Sequence, residues 1–191
     1  MEIHPVTPDR WDDLLELFGP GGAYWNCWCT WWILTGKEFA QATPEERKKL
    51  LAGLVANGSE PGLLAYREGN PVGWCAVGPR TRYTRMMSPR SRVYRPFPDP
   101  EAEGNWVVNC FFIARKQRGQ GIAAALLDEA VKFAWARGAR TIDGYPLLDD
   151  SPGASPSPAS LYVGSVSMFR QAGFREVNRV NNRPLMRLTA G

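Results

Sequence analysis

The stretch Ile113-Ala114-Arg115-Lys116-Gln117-Arg118-Gly119-Gln120-Gly121-Ile122-Ala123 decides how this chain is read. The run before it, NWVVNCFFI at residues 105–113, is almost continuously apolar, as befits a buried central strand. After it, Ile122, Leu126, Leu127, Ala130, Phe133 and Ala134 recur at helical spacing, and Gly138 stops the pattern. A buried strand therefore ends, a basic turn follows, and a glycine-rich stretch opens a long helix over residues 119–137. The first turn of a helix carries N–H groups without intrahelical partners and the positive end of the macrodipole. Gly119 and Gly121 have no side chains to keep a ligand off that backbone, and Arg118 adds charge at the same end. The segment reads as an anion cradle suited to a diphosphate.

Outward from the cradle, residues 141–145 read as another strand, giving strand, helix, strand in about 40 residues. Upstream, residues 62–68 and 71–77 read as a hairpin, because Glu68-Gly69-Asn70-Pro71 is turn chemistry. EIHPV at the start reads as a first strand, and Pro8 opens a helix through Leu17. After the Gly/Pro break at 19–22, YWNCWCTWWILTG packs Trp25, Trp28, Trp31 and Trp32 into eight positions. Helical spacing would put Trp25, Trp28 and Trp32 on one face, as a packing stripe or as a pocket wall. A charged helix spans 44–57. Downstream, 151–160 is a Pro/Ser/Gly loop, 165–172 a short helix capped by Gly173, and 174–180 and 184–189 the last strands. There is no internal repeat.

Composition narrows the function classes. A chain of 191 residues with 44% hydrophobic and 22% charged residues is expected to form one globular domain. It is not collagen-like, coiled-coil or disordered, and no apolar run approaches the roughly 20 residues of a bilayer span. The amino terminus turns acidic where a signal peptide would be apolar, so a soluble cytoplasmic protein is expected, with no membrane partner. Cys27, Cys29, Cys75 and Cys110 are too scattered for a disulfide framework, and His4 is the one histidine. A four-ligand zinc site or a histidine-based triad is therefore disfavoured, and no metal is expected. The net charge of +4 is uneven: Arg80, Arg82, Arg85, Arg90, Arg92 and Arg95 lie together without an acid. Such a cluster attracts phosphates, nucleic acid or acidic substrates, or is simply a solvated loop. Nucleic acid is not the expected partner, and the prolines of 79–100 point to irregular structure.

Two families use a glycine cradle of this kind. Gly119-x-Gly121-x-x-Ala124 fits the dinucleotide fingerprint, with Asp143 about twenty residues on. In that fold, however, the strand runs directly into the first glycine, whereas five residues separate Ile113 from Gly119 here. The segment Arg118-Gly119-Gln120-Gly121-Ile122-Ala123 resembles instead the R/Q-x-x-G-x-G/A signature of the GNAT superfamily of acyl-CoA-dependent N-acyltransferases. Phe169-Arg170-Gln171-Ala172-Gly173-Phe174 is similar to its second motif, Y-x-x-x-G-F. The detailed resemblance covers about 105–175.

That resemblance implies an α/β (α+β) fold of the GNAT type: a central, mixed, mostly antiparallel twisted sheet of about seven strands flanked by helices. It implies one N-acetyltransferase domain over 1–191, with an acceptor-side segment at 20–57 and an acyl-CoA-binding core at about 105–175. The implied reaction is direct transfer of an acetyl group from acetyl-CoA to a primary amine of a small molecule or peptide. A non-catalytic acyl-CoA sensor is the alternative, and a homodimer stays open. Donor-binding residues would be Phe111, Phe112 and Ile113, through strand N–H groups, and Arg118, Gly119, Gln120, Gly121, Ile122, Ala123 and Ala124 of the cradle. The family often has a tyrosine where this chain has Phe169, which cannot donate a proton. Tyr162, seven residues earlier, is the candidate acid. Glu103 and Asp143 are candidate bases, with Asn105 or Asn109 holding a water. Cys110 reads as a small buried residue beside the thioester, and Asp149-Asp150 as loop solvation or an attractor of cations. Trp25, Trp28 and Trp31 are the candidate acceptor-binding residues.

Overall fold

A computed structural model describes residues 1–88, 103–147, 162–180 and 183–190. Among them, strands β1 (Glu2–Pro5), β2 (Gly62–Arg67), β3 (Asn70–Pro79), β4 (Asn105–Ile113), β5 (Thr141–Gly144), β6 (Arg175–Val180) and β7 (Arg183–Thr189) form one sheet, ordered β1-β2-β3-β4-β5-β7-β6. The helices are α1 (Trp11–Phe18), α2 (Gly36–Gln41), α3 (Pro44–Ala56), α4 (Thr84–Met87), α5 (Ile122–Trp135) and α6 (Val166–Gln171). All neighbouring strands are antiparallel except β4 and β5, which α5 joins as a parallel crossover.

Alternation along the strands sorts side chains onto two faces. Leu63, Ala65, Cys75 and Val77 pack with Leu126, Leu127, Ala130 and Phe133 of α5. Leu64, Tyr66, Trp74 and Ala76 pack the other way, against Leu14, Phe18, Leu51 and Val55 of α1 and α3. Each fully buried large side chain contributes about 1.5–3 kcal/mol, so this double-sided core dominates the folding free energy. Among the described residues no helix is long and apolar enough to cross a membrane.

One irregularity in the central strand matters for the site. The β3–β4 pairing runs from Gly73↔Ile113 to Ala76↔Cys110 and resumes at Val77↔Val108, leaving Asn109 as an extra residue, a β-bulge. Trp106 and Val108 face α5 before the bulge, and Phe111 and Ile113 do so after it. The reversal of parity sends Cys110 and Phe112 to the opposite face.

The aromatic segment departs from expectation. Residues 25–34 form successive turns, not a helix, because Ala23, Trp25, Asn26, Trp28 and Cys29 all have φ between 46° and 68°. Left-handed residues cannot propagate a right-handed helix. A helix that sequence periodicity missed, α2, follows them, opened by the capping box of Thr35 and Glu38. Helix α5 starts at Ile122, three residues later than expected. Residues 80–88 hold a single 3-10 turn and the short α4. Arg90, Arg92 and Arg95, the loop at 151–160 and Asp149-Asp150 lie outside the described residues.

Candidate active site

The sheet opens where β4 and β5 separate. Their parallel pairing ends at Val108↔Gly144, so residues 109–113 have no ladder partner on that side. The Ala114 N–H donates to Val72 O across β3 at 3.0 Å. By the alternation of an antiparallel ladder, the N–H groups of Phe111 and Ile113 point into the gap. Arg118 Nε, on the same side, donates to Ile113 O at 3.1 Å. Gly144, the last paired residue of β5, is a glycine for a steric reason. A Cβ there would lie 2.1 Å from the Phe169 ring, and Phe169 is fully buried against Phe111 and Phe174.

Next to the gap is the start of α5. Gly119 and Gly121 have φ of 74° and 77°, and a Cβ on either would meet nothing within 4 Å. The first intrahelical bond is Ala125 N–H to Gly121 O, and no side chain caps this end. The N–H groups of Ile122, Ala123 and Ala124 are therefore left without intrahelical partners beside open space, a geometry that fits a phosphate group. Gln120 holds the loop in place, its side-chain oxygen accepting from Arg67 of β2.

On the opposite face of β4 lies a cavity of about 630 Å³. Asn109, Cys110 and Phe112 of the bulged strand form its floor, and Tyr162 and Arg183 stand on one side. Trp25, Trp31, Phe39 and Arg47 of the aromatic segment, α2 and α3 close the other. The Tyr162 ring stacks on Phe112 (6.1 Å, 5°) and packs beside Tyr24 (4.9 Å). Burial pushes the Tyr162 phenol above its ordinary value, partly offset by the nearby Arg118 guanidinium, so it stays protonated at neutral pH. Three thiols meet here. Cys29 accepts from the Trp74 indole at 3.1 Å and lies 3.6 Å from Cys110. A hydrogen bond from Cys29 lowers the Cys27 thiol to about 7. Cys110, expected to be buried, is half-buried and lines the cavity.

Four residues expected at the site stand elsewhere. Trp28 is only 6% exposed, packs on Phe18 at 5.8 Å and belongs to the core, not to the cavity wall. Asp143 is 0% exposed, and its carboxylate accepts from Arg187 Nε (2.7 Å), Arg187 Nη2 (2.9 Å) and Arg80 Nη1 (2.8 Å). Burial pushes that carboxyl up while Arg187 and then Arg80 pull it down. Asp143 is thus a buried electrostatic junction that cannot reach an amine. Glu103 is exposed in the turn before β4, and roughly 13 Å of strand separates Asn105 from Asn109. Asn105 accepts from Thr141 Oγ1 at 2.5 Å at that remote end.

The described arginines of the basic cluster are structural. Arg80 bonds Asp143, Arg82 donates to Ser59 O at 2.7 Å, and Arg85 donates to Thr35 O at 3.1 Å while covering the Trp31 ring at 4.0 Å. Among the described residues no group of His, Cys, Asp and Glu is arranged to hold a metal ion.

Comparison with known proteins gives a family match over residues 25–145, to the acetyltransferase (GNAT) family. No curated protein matches the chain significantly. Solved structures match over nearly the whole length. The ribosomal-protein-alanine N-acetyltransferase of Brucella melitensis is 20% identical, with a TM-score of 0.54 over 100% of both chains. The PaiA N-acetyltransferase of Thermoplasma acidophilum in complex with coenzyme A is 15% identical, with a TM-score of 0.55 over 99% of this chain and 98% of that one. Another acetyltransferase structure reaches a TM-score of 0.59 at 17% identity, covering 100% of both chains. At these identities the likeness is one of fold.

Proposed function

Because the chain belongs to the GNAT acetyltransferase family, we propose that it transfers the acetyl group of acetyl-CoA directly to the amine of a small molecule or peptide. The reading takes residues 1–191 as one domain, donor side at 105–175 and acceptor side at 20–57. One observation carries it: the gap between β4 and β5 lies between an uncapped helix start and an aromatic cavity. Acetyl-CoA supplies an activated acyl carbon. The chain supplies N–H donors for the carbonyl oxygen as negative charge develops on it, those of Phe111 and Ile113. The diphosphate rests on the backbone of Gly119–Ala124 with Arg118 beside it. The amine nitrogen bonds to the carbonyl carbon, the carbon–sulfur bond breaks, and Tyr162 protonates the leaving thiolate. The amine must lose a proton, and Cys27, which lines the cavity and whose thiol is lowered by its neighbour Cys29, is a group that can take it.

Two variants test the donor side. Gly121→Val forces a branched side chain into a left-handed position where the phosphates would lie. The acetyl-CoA Kd should rise at least tenfold, about 1.4 kcal/mol. Unchanged calorimetric affinity in a folded variant would sink the cradle. Tyr162→Phe keeps the ring stacked on Phe112 and removes the proton, so turnover should fall by roughly tenfold or more with acetyl-CoA affinity retained. Parental turnover would mean that the thiolate leaves unassisted, as a thiol with a pKa of about 8.5 can.

A further inference from the structure

The cavity has an electrostatic bias that the transfer reaction does not require. Its described lining contains Arg47 and Arg183 and no carboxylate. Arg47 donates to the carbonyls of Asn26 (3.2 Å), Phe39 (2.7 Å) and Ala42 (2.8 Å) and covers the Phe39 ring at 3.9 Å. These partners are all neutral, and its buried Nε has no hydrogen-bond partner among the described residues. Arg183, half-buried at the start of β7, pairs with Val180 through its backbone, and its guanidinium makes no hydrogen bond or ion pair with a described side chain. A third group is independent of both. Asn109, the bulged residue, is 3% exposed, and its amide nitrogen faces no acceptor among the described residues. A buried donor left unsatisfied costs about 1–3 kcal/mol, so such a group is one that a ligand would complete.

Donors of this kind with no acid among the described lining call for a ligand bearing oxygen acceptors and negative charge. The remaining wall, Tyr24, Trp25, Trp31, Phe39 and Phe112, calls for a flat apolar body. The volume lies within the 300–1,000 Å³ usual for small-molecule sites. Building on the acyl-transfer reading above, we propose that the acceptor is an aliphatic primary amine that carries both an aromatic ring and a carboxylate, a molecule of the aromatic amino acid class. The carboxylate lies among Arg183, Arg47 and Asn109, and the ring lies on the aromatic wall. A polyamine would bring only positive charge to two guanidiniums.

The test compares phenylalanine and tryptophan with their carboxamides and with phenethylamine and tryptamine, which lack the carboxylate. Coenzyme A thiol release is recorded on the full chain with every compound, and quenching of intrinsic tryptophan fluorescence with phenylalanine, its carboxamide and phenethylamine, which do not emit in the tryptophan band. The amino acids should show at least tenfold higher kcat/KM than their amides or amines. Arg183→Gln should erase that preference while sparing turnover of the amides, and Arg183→Lys, which keeps the positive charge, should retain it and serves as the folding control. Equal or better turnover of the neutral and cationic forms would overturn the carboxylate site and leave acyl transfer standing. If none of these compounds releases thiol, quenching alone decides the site, and acyl transfer is judged on a wider amine panel. Saturation by phenylalanine at tenfold lower concentration upholds the site, and equal saturation overturns it.

Discussion

Asp143→Ala should destabilise the protein by about 3–5 kcal/mol, the usual cost of removing one partner from a buried ion pair. The carboxylate is fully buried and receives both Arg80, itself 1% exposed, and Arg187. It ties β5 to β7 and to the turn after β3, one residue before the point where β5 leaves β4. The substitution takes away the carboxylate that two guanidiniums share and leaves their buried positive charges without a counter-charge, which a water in its place would not supply. At roughly 2–4 °C per kcal/mol for a chain of this size, the melting temperature should drop by about 6–20 °C. A general base lost from a rigid pocket would behave otherwise, costing turnover at unchanged melting temperature. An Asp143→Ala variant that melts within 2 °C of the parent would refute the structural role.

Trp28→Ala should cost a similar amount, about 3–5 kcal/mol, the range for truncating a large buried aromatic. Its indole fills the space between Phe18 and the turn at 22–29, and Lys48 Nζ lies 5.5 Å from the ring. Trp25→Ala removes a side chain that is 82% exposed at the cavity mouth, so stability should stay within about 0.5 kcal/mol. The pair separates duties that one tryptophan-rich segment conceals. Thermal denaturation of the two variants side by side is the check, and equal losses would mean that both rings are core.

What was legible in the sequence was local. The cradle could be read because a buried strand, a basic turn and an amphipathic helix each leave a periodic trace within thirty residues of Asn105. The seven-stranded sheet followed from the same signals joined to the two family-like motifs. The bulge at Asn109 left no trace, since NWVVNCFFI reads as one apolar run whether or not its parity reverses in the middle. The aromatic segment misled, because spacing of three and four residues mimics a helix while five left-handed residues forbid one. Asp143 could not be told from a solvated acid, because Arg80 and Arg187 lie 63 and 44 residues away along the chain. Arg47 and Arg183 belong to the cavity only through tertiary packing, and no local pattern marks them.

The central claim is acyl transfer from acetyl-CoA to an amine, and amine-dependent release of coenzyme A thiol measures it most directly. The protein is incubated with acetyl-CoA and a panel of amino acids, aromatic amines, polyamines, aminoglycosides and peptide amino termini. The free thiol is titrated, and the amine product is weighed by mass spectrometry. The account predicts that at least one amine releases thiol in equal amount to an N-acetylated product and that Tyr162→Phe slows the release. Tight calorimetric binding of acetyl-CoA with no amine-dependent thiol across the panel would contradict it and identify the chain as an acyl-CoA sensor.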